Sequence, residues 1–265
     1  MAPLAALAMI GLASCADSSP APPAAITIEV PSETTTPAAT DAPAAAPTPD
    51  ASQTTGGHRY AVAVPRGYHP VVWVRAGARV PMRTKPGGGE LVETVGRKTE
   101  FGSPSVFGVQ RQRHGWVGVT TADLPNNQLG WMKLDPNRLA SGGSHFSVLV
   151  DLSEFRATLF KGPKKVRSFS VTVGAPVSPT PLGKFAVTDT FRGGLASAYG
   201  CCAVALSATQ PNLPSGWLGG NRIAIHGTYE PIGLASSHGC VRAANADVSK
   251  LINSLPLGSP VTIRA

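Results

Sequence analysis

Cys240 lies close in the sequence to two histidines, His226 and His238, within the segments IHGT and SHGCVR. A thiol with an ordinary pKa of about 8.5 is mostly protonated at neutral pH, so a reactive cysteine needs an imidazole that favours the thiolate. Gly239 lets the backbone turn sharply beside the sulfur, and the N–H groups of Gly239 and Cys240 could then stabilise an oxyanion. The pattern predicts nucleophilic catalysis by Cys240 with a histidine base.

Of the two histidines, His226 is the better candidate for the general base. It follows the predicted strand 223–225, and the end of a strand can hold an imidazole that faces a cleft. His238 is the alternative base. Because His238 directly precedes the Gly–Cys turn, it could instead serve backbone hydrogen bonding or loop packing.

Four further residues near the cysteine are candidates for substrate binding or for the oxyanion site. Thr228 and Ser237 could orient an imidazole, or they could only stabilise their turns. Arg242 could bind a substrate carboxylate through its guanidinium group, or it could form a salt bridge with Asp247. Gly227, next to the proposed base, completes the set.

The HGT segment, a short loop and the SHGCVR segment together resemble the signature of the L,D-transpeptidase catalytic domain of bacterial cell-wall synthesis. Upstream regions resemble the same domain in the same order. These regions are the opening strands around 148–153 with the turn 161–163, and a TPxG segment at 179–185 that follows 173–175. The resemblance extends from about Phe146 to Ala265.

This resemblance implies a mechanism that needs no cofactor and no metal. Cys240 would attack the carbonyl of the third residue of a peptidoglycan tetrapeptide stem, release the terminal D-alanine and form a thioester. An amine of a second stem would then resolve the thioester, with His226 as base and later as acid. The resemblance also implies that carbapenems acylate Cys240.

Three other functions fit parts of the same pattern. With water as the acceptor, the same residues would make an L,D-carboxypeptidase. A zinc site could use His226, His238 and Cys240 with Cys201 or Cys202, although the His–Gly–Cys spacing is unlike that of the usual zinc pairs. A non-catalytic lipoprotein that binds the wall is the third alternative, and it predicts a disrupted Cys–His pair.

The first 15 residues have the features of a lipoprotein signal peptide. Residues 3–12 are apolar but too few to span a bilayer, and the following Leu12–Cys15 resembles a bacterial lipobox. Cys15 would then be lipidated and would anchor the protein at the membrane, outside the cytoplasm. An ordinary secretory signal is the alternative, and it also exports the chain. Residues 16–57 are rich in Pro, Ala and Thr and predict a disordered tether.

The chain is strongly basic after residue 57. All 23 Lys and Arg residues but only ten of the 15 acidic residues lie there, a net charge of about +13. Such a charge attracts polyanions, whether nucleic acid, acidic lipid or an anionic cell wall. Since export excludes nucleic acid, the expected partners are peptidoglycan stem peptides and the membrane that holds the lipid anchor.

Short β-prone runs separated by Gly, Pro and Asn predict a small antiparallel barrel in residues 60–136. Its closing WVGV and GWM segments resemble a bacterial SH3-like domain. Trp73, Trp116 and Trp131 could form an aromatic binding face, or they could pack in the core. The Gly- and Ser-rich residues 137–145 predict a linker.

Residues 146–265 predict a β-rich catalytic domain with one helix near the C-terminus, so the expected fold class is mainly β. The helix is predicted to begin after Asn245 as its N-cap and to bury one apolar face. That face consists of Val248, Leu251, Ile252 and Leu255. The adjacent Cys201 and Cys202 are not expected to bridge each other, because a disulfide between sequence neighbours is strained.

Overall fold

Two β-sheets organise the fold in the computed structural model, which describes residues 61–217 and 220–265. The fold is mainly β, as predicted, and the described residues include one α-helix near the C-terminus. Within this part of the chain, no helix is both long and apolar enough to cross a bilayer. The predicted signal peptide 1–15, with Cys15, and the predicted tether 16–57 lie outside the described residues.

The first sheet has seven strands, all paired antiparallel, in the order β3-β2-β6-β5-β4-β1-β7. The strands are β1 (His69–Val74), β2 (Val80–Arg83), β3 (Leu91–Val95), β4 (Val106–Arg113), β5 (Trp116–Val119), β6 (Gly130–Lys133) and β7 (Leu139–Ser144). Successive residues of a strand point to opposite faces, and one face builds a core around Val72, Met82, Val117 and Met132. The sheet agrees with the expected antiparallel unit, and its SH3-like character stays a prediction.

The segment predicted to be a linker is a strand instead. Six residues of β7 pair with β1, from Leu139 opposite Val74 to Ser144 opposite His69. The glycines that suggested a flexible connection make room for a bulky neighbour, because a Cβ at Gly142 would lie 3.2 Å from the Trp73 ring. Composition alone could not distinguish this packing role from flexibility.

The second sheet has nine strands, in the order β14-β10-β15-β13-β12-β11-β16-β8-β9. The strands are β8 (Phe146–Asp151), β9 (Arg156–Lys161), β10 (Lys164–Gly174), β11 (Gly183–Phe191), β12 (Ala203–Thr209), β13 (Arg222–Thr228), β14 (Ala235–Ser237), β15 (Val241–Ala244) and β16 (Pro260–Arg264). An additional pairing joins β9, at one end of the sheet, to β10, the second strand from the other end. The strands enclose a second apolar core, which includes Phe185, Leu206, Ile223 and Ile225.

Helix α1 (Asn245–Ser254) packs its apolar face on this core, as predicted. Its N-cap is Ala244, so the assignment of Asn245 as the cap is wrong by one residue. The Asn245 side chain has a tertiary partner instead, because its Oδ1 accepts a hydrogen bond from the Cys201 N–H at 2.9 Å.

Cys201 and Cys202 form a disulfide with each other, contrary to the expectation from the sequence. Both residues lie between a short 3-10 helix (Ser197–Tyr199) and β12, outside a regular strand. Their side chains therefore do not alternate between two faces, as neighbours in a strand must.

The two sheets meet through polar pairs and close backbone contacts. The Ser144 and Ser259 hydroxyls lie 2.7 Å apart in a buried position, and the Ser207 hydroxyl donates to that of Thr120 at 2.8 Å. A Cβ at Gly108 would lie 2.7 Å from the Gly258 carbonyl oxygen. The first sheet is therefore closely fitted to the domain that carries the predicted site.

Gly258→Ala should destabilise the protein more than Gly115→Ala. The two glycines have φ values of +78° and +77°, so alanine costs either position about 1–2 kcal/mol in backbone strain. At Gly258 the new Cβ would also lie 2.8 Å from Val106 and 2.9 Å from Val71, whereas nothing lies within 4 Å at Gly115. Overpacking adds about 1–3 kcal/mol, which urea unfolding of both variants should detect. Equal losses would contradict the tight contact at Gly258.

Candidate active site

The parallel pairing of β13 with β15 brings the predicted base and nucleophile together. Ile225 pairs with Val241 and His226 with Arg242, and Cys240 directly precedes β15. Paired residues share a face of a sheet, and so do alternate residues along one strand. The side chains of His226 and Cys240 therefore project from the same face of neighbouring strands.

The His226 imidazole is buried and is held by the backbone. Its side chain is 4% exposed, and Nδ1 lies 2.7 Å from the Gly227 carbonyl oxygen. Because a carbonyl oxygen only accepts, Nδ1 carries the proton and Nε2 is left as the acceptor. Burial lowers the pKa of His226 to about 4, against the smaller opposing effect of the bond to Gly227. The ring is therefore neutral at physiological pH and can take up a proton.

Cys240 is a half-buried free thiol. Burial raises its pKa, although a hydrogen bond from the Ala224 backbone and the charge of Arg242 act in the opposite direction. Together with the neutral His226, this makes the resting pair a thiol and an imidazole. It differs from the thiolate expected from the sequence, because sequence spacing does not reveal how far both groups are withdrawn from water.

Ser237 holds the loop that presents the nucleophile. Its hydroxyl donates to the Cys240 carbonyl at 2.6 Å and accepts from the Gly239 N–H at 3.1 Å. Gly239 has a φ of +109°, so the sharp turn predicted there is confirmed. The Thr180 hydroxyl donates to the Gly239 carbonyl at 2.8 Å and ties the loop to the TPxG segment.

The hydrogen bond from the Gly239 N–H to the Ser237 hydroxyl removes one of the two predicted oxyanion donors. The Gly239 N–H already has a partner, so its assignment as a donor is wrong for this conformation. The Cys240 N–H makes no hydrogen bond to residues 61–217 or 220–265 and is therefore available to a ligand. One of the two predicted backbone donors remains.

Tyr199, which the sequence analysis did not identify, lies beside both reactive groups. Its ring centroid is 4.9 Å from that of His226. Burial raises the pKa of the Tyr199 hydroxyl, and the nearby Cys240 adds to the rise. A phenol that stays protonated next to the sulfur can donate a hydrogen bond to an oxyanion formed there. No motif marks this residue, because its position depends on the turn that follows β11.

Gln210 supports the nucleophile loop and was also missed. The residue is buried, and its Nε2 donates to the carbonyl oxygens of Pro179 at 3.0 Å and His238 at 3.3 Å. Gly239 packs so closely on this amide that a Cβ there would clash with it. Gln210 thereby fixes the His238–Gly239 peptide, although it lies far from this peptide in the sequence and no local spacing reveals the contact.

Two of the remaining predicted residues make structural contacts. Arg242 pairs with Glu230, and Asp247, its suggested partner, pairs with Arg167 instead. The Thr228 hydroxyl accepts from the Glu230 N–H at 3.0 Å, so it stabilises its turn. A substrate carboxylate could bind Arg242 only in competition with Glu230.

His238 is exposed, and its ring centroid lies 5.1 Å from that of Trp217. The zinc alternative requires His226, His238 and Cys240 in one cluster with a further cysteine. Among the residues that the structure describes, no three His, Cys, Asp or Glu side chains are placed to hold a metal.

Tyr199→Phe should slow acylation of Cys240 about 100-fold, because it removes an oxyanion donor while keeping the ring against His226. Single-turnover acylation by an activated acyl donor, followed by intact-mass spectrometry, measures this rate. Tyr229→Phe is the matched control, since Tyr229 is 80% exposed on the loop after β13. Equal rates in the two variants would show that the Tyr199 hydroxyl does not act on the reaction.

Comparison with known proteins matches the part of the chain that carries this site. A family model described as the L,D-transpeptidase catalytic domain, YkuD, matches residues 145–263. The chain is 30% identical over 124 residues to the putative L,D-transpeptidase YkuD of Bacillus subtilis, covering 44% of this chain and 65% of that protein. It is 29% identical over 134 residues to the probable L,D-transpeptidase YbiS of Escherichia coli, covering 44% of each.

Solved structures show a partial likeness. The structure of Bdellovibrio bacteriovorus Bd1075 has 22% identity and a TM-score of 0.37, covering 46% of this chain and 48% of that one. Mycobacterium tuberculosis L,D-transpeptidase 1 has 17% identity and a TM-score of 0.33, covering 53% of this chain and 79% of that one.

The curated relatives are thus matched over 65% or less of their own length. The matched residues 145–263 include the loop that carries Cys240 and all but the last residue of the second sheet. Residues 145–263, which hold Cys240 and His226, are similar to the YkuD family of L,D-transpeptidase catalytic domains.

Proposed function

We propose that the protein is a cysteine-dependent acyltransferase that forms L,D cross-links between peptidoglycan stem peptides. The proposal rests on the placement of Cys240 and His226 on one face of the paired strands β13 and β15. The family match over residues 145–263 supports the choice of substrate, since the matched relatives are named as L,D-transpeptidases.

In the first half-reaction, a bond forms between Cys240 Sγ and the carbonyl carbon of the third stem residue. The amide bond to the terminal D-alanine breaks, and the thiol proton passes through Nε2 of His226 to the leaving amine. In the second half-reaction, the side-chain amine of another stem attacks the thioester. It gives its proton to His226, which returns the proton to the departing sulfur. One amide replaces another, so the exchange needs no ATP.

The resting charge state suits this sequence of steps. A neutral thiol beside a neutral imidazole has no charge to bury before substrate arrives, and the proton moves as the sulfur attacks. Negative charge then develops on the carbonyl oxygen, where the Cys240 N–H and the Tyr199 hydroxyl are the proposed donors. The hydrogen bond from Nδ1 to the Gly227 carbonyl keeps Nε2 directed to the reaction through both half-reactions.

We further propose that the enzyme works outside the cytoplasm, held at the membrane by lipid on Cys15. The support is the apolar run 3–12 and the lipobox-like Leu12–Cys15 in the sequence. Residues 16–57 would then connect the anchor to the folded part across the space between membrane and wall. Carbapenems, which acylate through the same attack on a carbonyl, are the expected covalent inhibitors.

Incubation of the full-length protein with a tetrapeptide stem or a carbapenem should give a covalent adduct on Cys240. Intact-mass spectrometry and peptide mapping detect the adduct, and Cys240→Ala should abolish it. Cross-linked dimers that lack one D-alanine identify transpeptidation, whereas tripeptide as the sole product identifies the carboxypeptidase. Folded wild-type protein that forms no adduct with either compound would instead support a non-catalytic wall-binding lipoprotein.

The acid limb of kcat/KM for acylation should lie near pH 4. His226 accepts a proton only when neutral, and burial lowers its pKa to about 4, well below the ordinary value of about 6.5. Activity should therefore persist at pH 5 and fall about tenfold per unit below pH 4. His238→Gln should leave this limb in place. A limb at pH 6.5, or one that moves in His238→Gln, would contradict His226 as the buried base.

A further inference from the structure

A pocket of about 640 Å³, lined by both polar and apolar residues, lies where the first sheet meets the catalytic domain. The first sheet contributes Gln110, Arg111 and Trp131, and the catalytic domain contributes Gly183 and Lys184. No acidic residue is among the described residues that line it. The ion pairs found in the described chain involve neither Arg111 nor Lys184. The pocket therefore presents two uncompensated cations beside an aromatic ring.

Strand register explains why these side chains meet. Arg111 on β4 pairs with Gly118 on β5, and Gly118 pairs with Trp131 on β6. Since paired residues share a face, all three lie on the face opposite the core residues Val117 and Met132. A Cβ at Gly118 would lie 3.1 Å from the Trp131 ring, so the glycine forms the floor on which the indole rests.

The next pair of residues on the same face of β4 and β5 again combines an arginine with a tryptophan. Arg113 on β4 pairs with Trp116 on β5, and both line a second pocket of about 460 Å³ with Lys85 and His114. Two neighbouring pockets, each with a tryptophan and cations, fit repeating units of a chain better than one small molecule. Indole faces stack on sugar rings, and guanidinium and ammonium groups bind carboxylates.

The first pocket also adjoins the segment that contacts the nucleophile loop. Asn127, on its rim, donates to the Leu182 carbonyl at 3.1 Å, and Gly183 and Lys184 follow directly. Thr180, just upstream, holds the Gly239 carbonyl beside Cys240. A chain bound in the pocket would thus lie against the same segment that positions the nucleophile.

We infer that this pocket, with the second pocket beside it, binds an anionic glycan chain that carries peptide stems. Sugar rings would stack on Trp131 and Trp116, and carboxylates would bind Arg111 and Lys184. The amide side chain of Gln110 would bind hydroxyl and amide groups. The identity of the chain as peptidoglycan rests on the proposed function. The pocket itself would hold a glycan strand against Gly183 and Lys184 while one of its stems reacts at Cys240.

Binding is tested with the full-length Cys240→Ala protein, which cannot turn over, and soluble uncross-linked peptidoglycan strands. Trp131→Ala should weaken binding about tenfold, and Arg111→Gln should weaken it several-fold at low salt, with less effect at high salt. The matched controls are Trp73→Ala and Arg156→Gln, an exposed tryptophan on β1 and an exposed arginine on β9. Both controls should bind as tightly as the parent.

Two further ligands identify the chemistry that is recognised. A neutral N-acetylglucosamine oligomer should bind weakly, and a single-stranded oligonucleotide should compete poorly, because it offers phosphodiesters without stems. Equal affinity for the parent, Trp131→Ala and Arg111→Gln proteins would overturn the inference, and so would stronger binding of the oligonucleotide. Because this measurement does not depend on acyl transfer, a missing Cys240 adduct in the wild-type protein refutes the proposed reaction without refuting the pocket.

Discussion

Parallel pairing between β13 and β15 is the constraint on which the rest of the site depends. It sets His226 opposite Arg242, so that the imidazole and the Cys240 sulfur share one face of the sheet. The pairing needs close backbone contact around β13, and Gly227 provides it: its N–H donates to the Cys202 carbonyl at 2.9 Å, and a Cβ there would clash with Asn245. A larger residue at 227 would push apart the elements that hold the base.

Around this pair, the site is built mainly from backbone groups and uncharged side chains. A carbonyl orients the imidazole, a serine and a threonine hold the nucleophile loop, and the buried Gln210 amide joins that loop to the preceding segment. Buried polar groups without partners are costly, and these groups satisfy one another. The nearby charges, Arg242 with Glu230, form a pair of their own. Such an environment keeps both reactive groups neutral at rest.

The sequence predicted which residues meet at the candidate site better than it predicted the charge states there or the residues that support the loop. The HGT and SHGCVR segments were sufficient to predict that Cys240 and His226 lie together and to predict the similarity that the family model finds over residues 145–263, because these residues occupy short stretches of chain. Gln210 and Tyr199 could not be found in this way, since each reaches the site through tertiary packing. The same limit applies to residues 139–144, where glycines that favour a linker permit a packed strand. It also applies to the start of α1, where Ala244 occupies the N-cap position without a side-chain hydrogen bond.

The contact between Asn126 and the backbone of Thr209 limits how the N-terminal part of the protein can be exchanged. Asn126, on the connection between β5 and β6 of the first sheet, makes two hydrogen bonds with the Thr209 backbone, at 2.6 and 3.0 Å, and Thr209 adjoins Gln210. The amide thus substitutes for a missing neighbouring strand at the end of β12. In a chimaera that joins this catalytic half to an unrelated N-terminal module, the N–H and carbonyl of Thr209 would lose these hydrogen bonds. Thr209 is next to Gln210, which supports the nucleophile loop. A replacement N-terminal module should therefore supply an asparagine in the place of Asn126, because the catalytic half depends on this residue even though it lies outside that half.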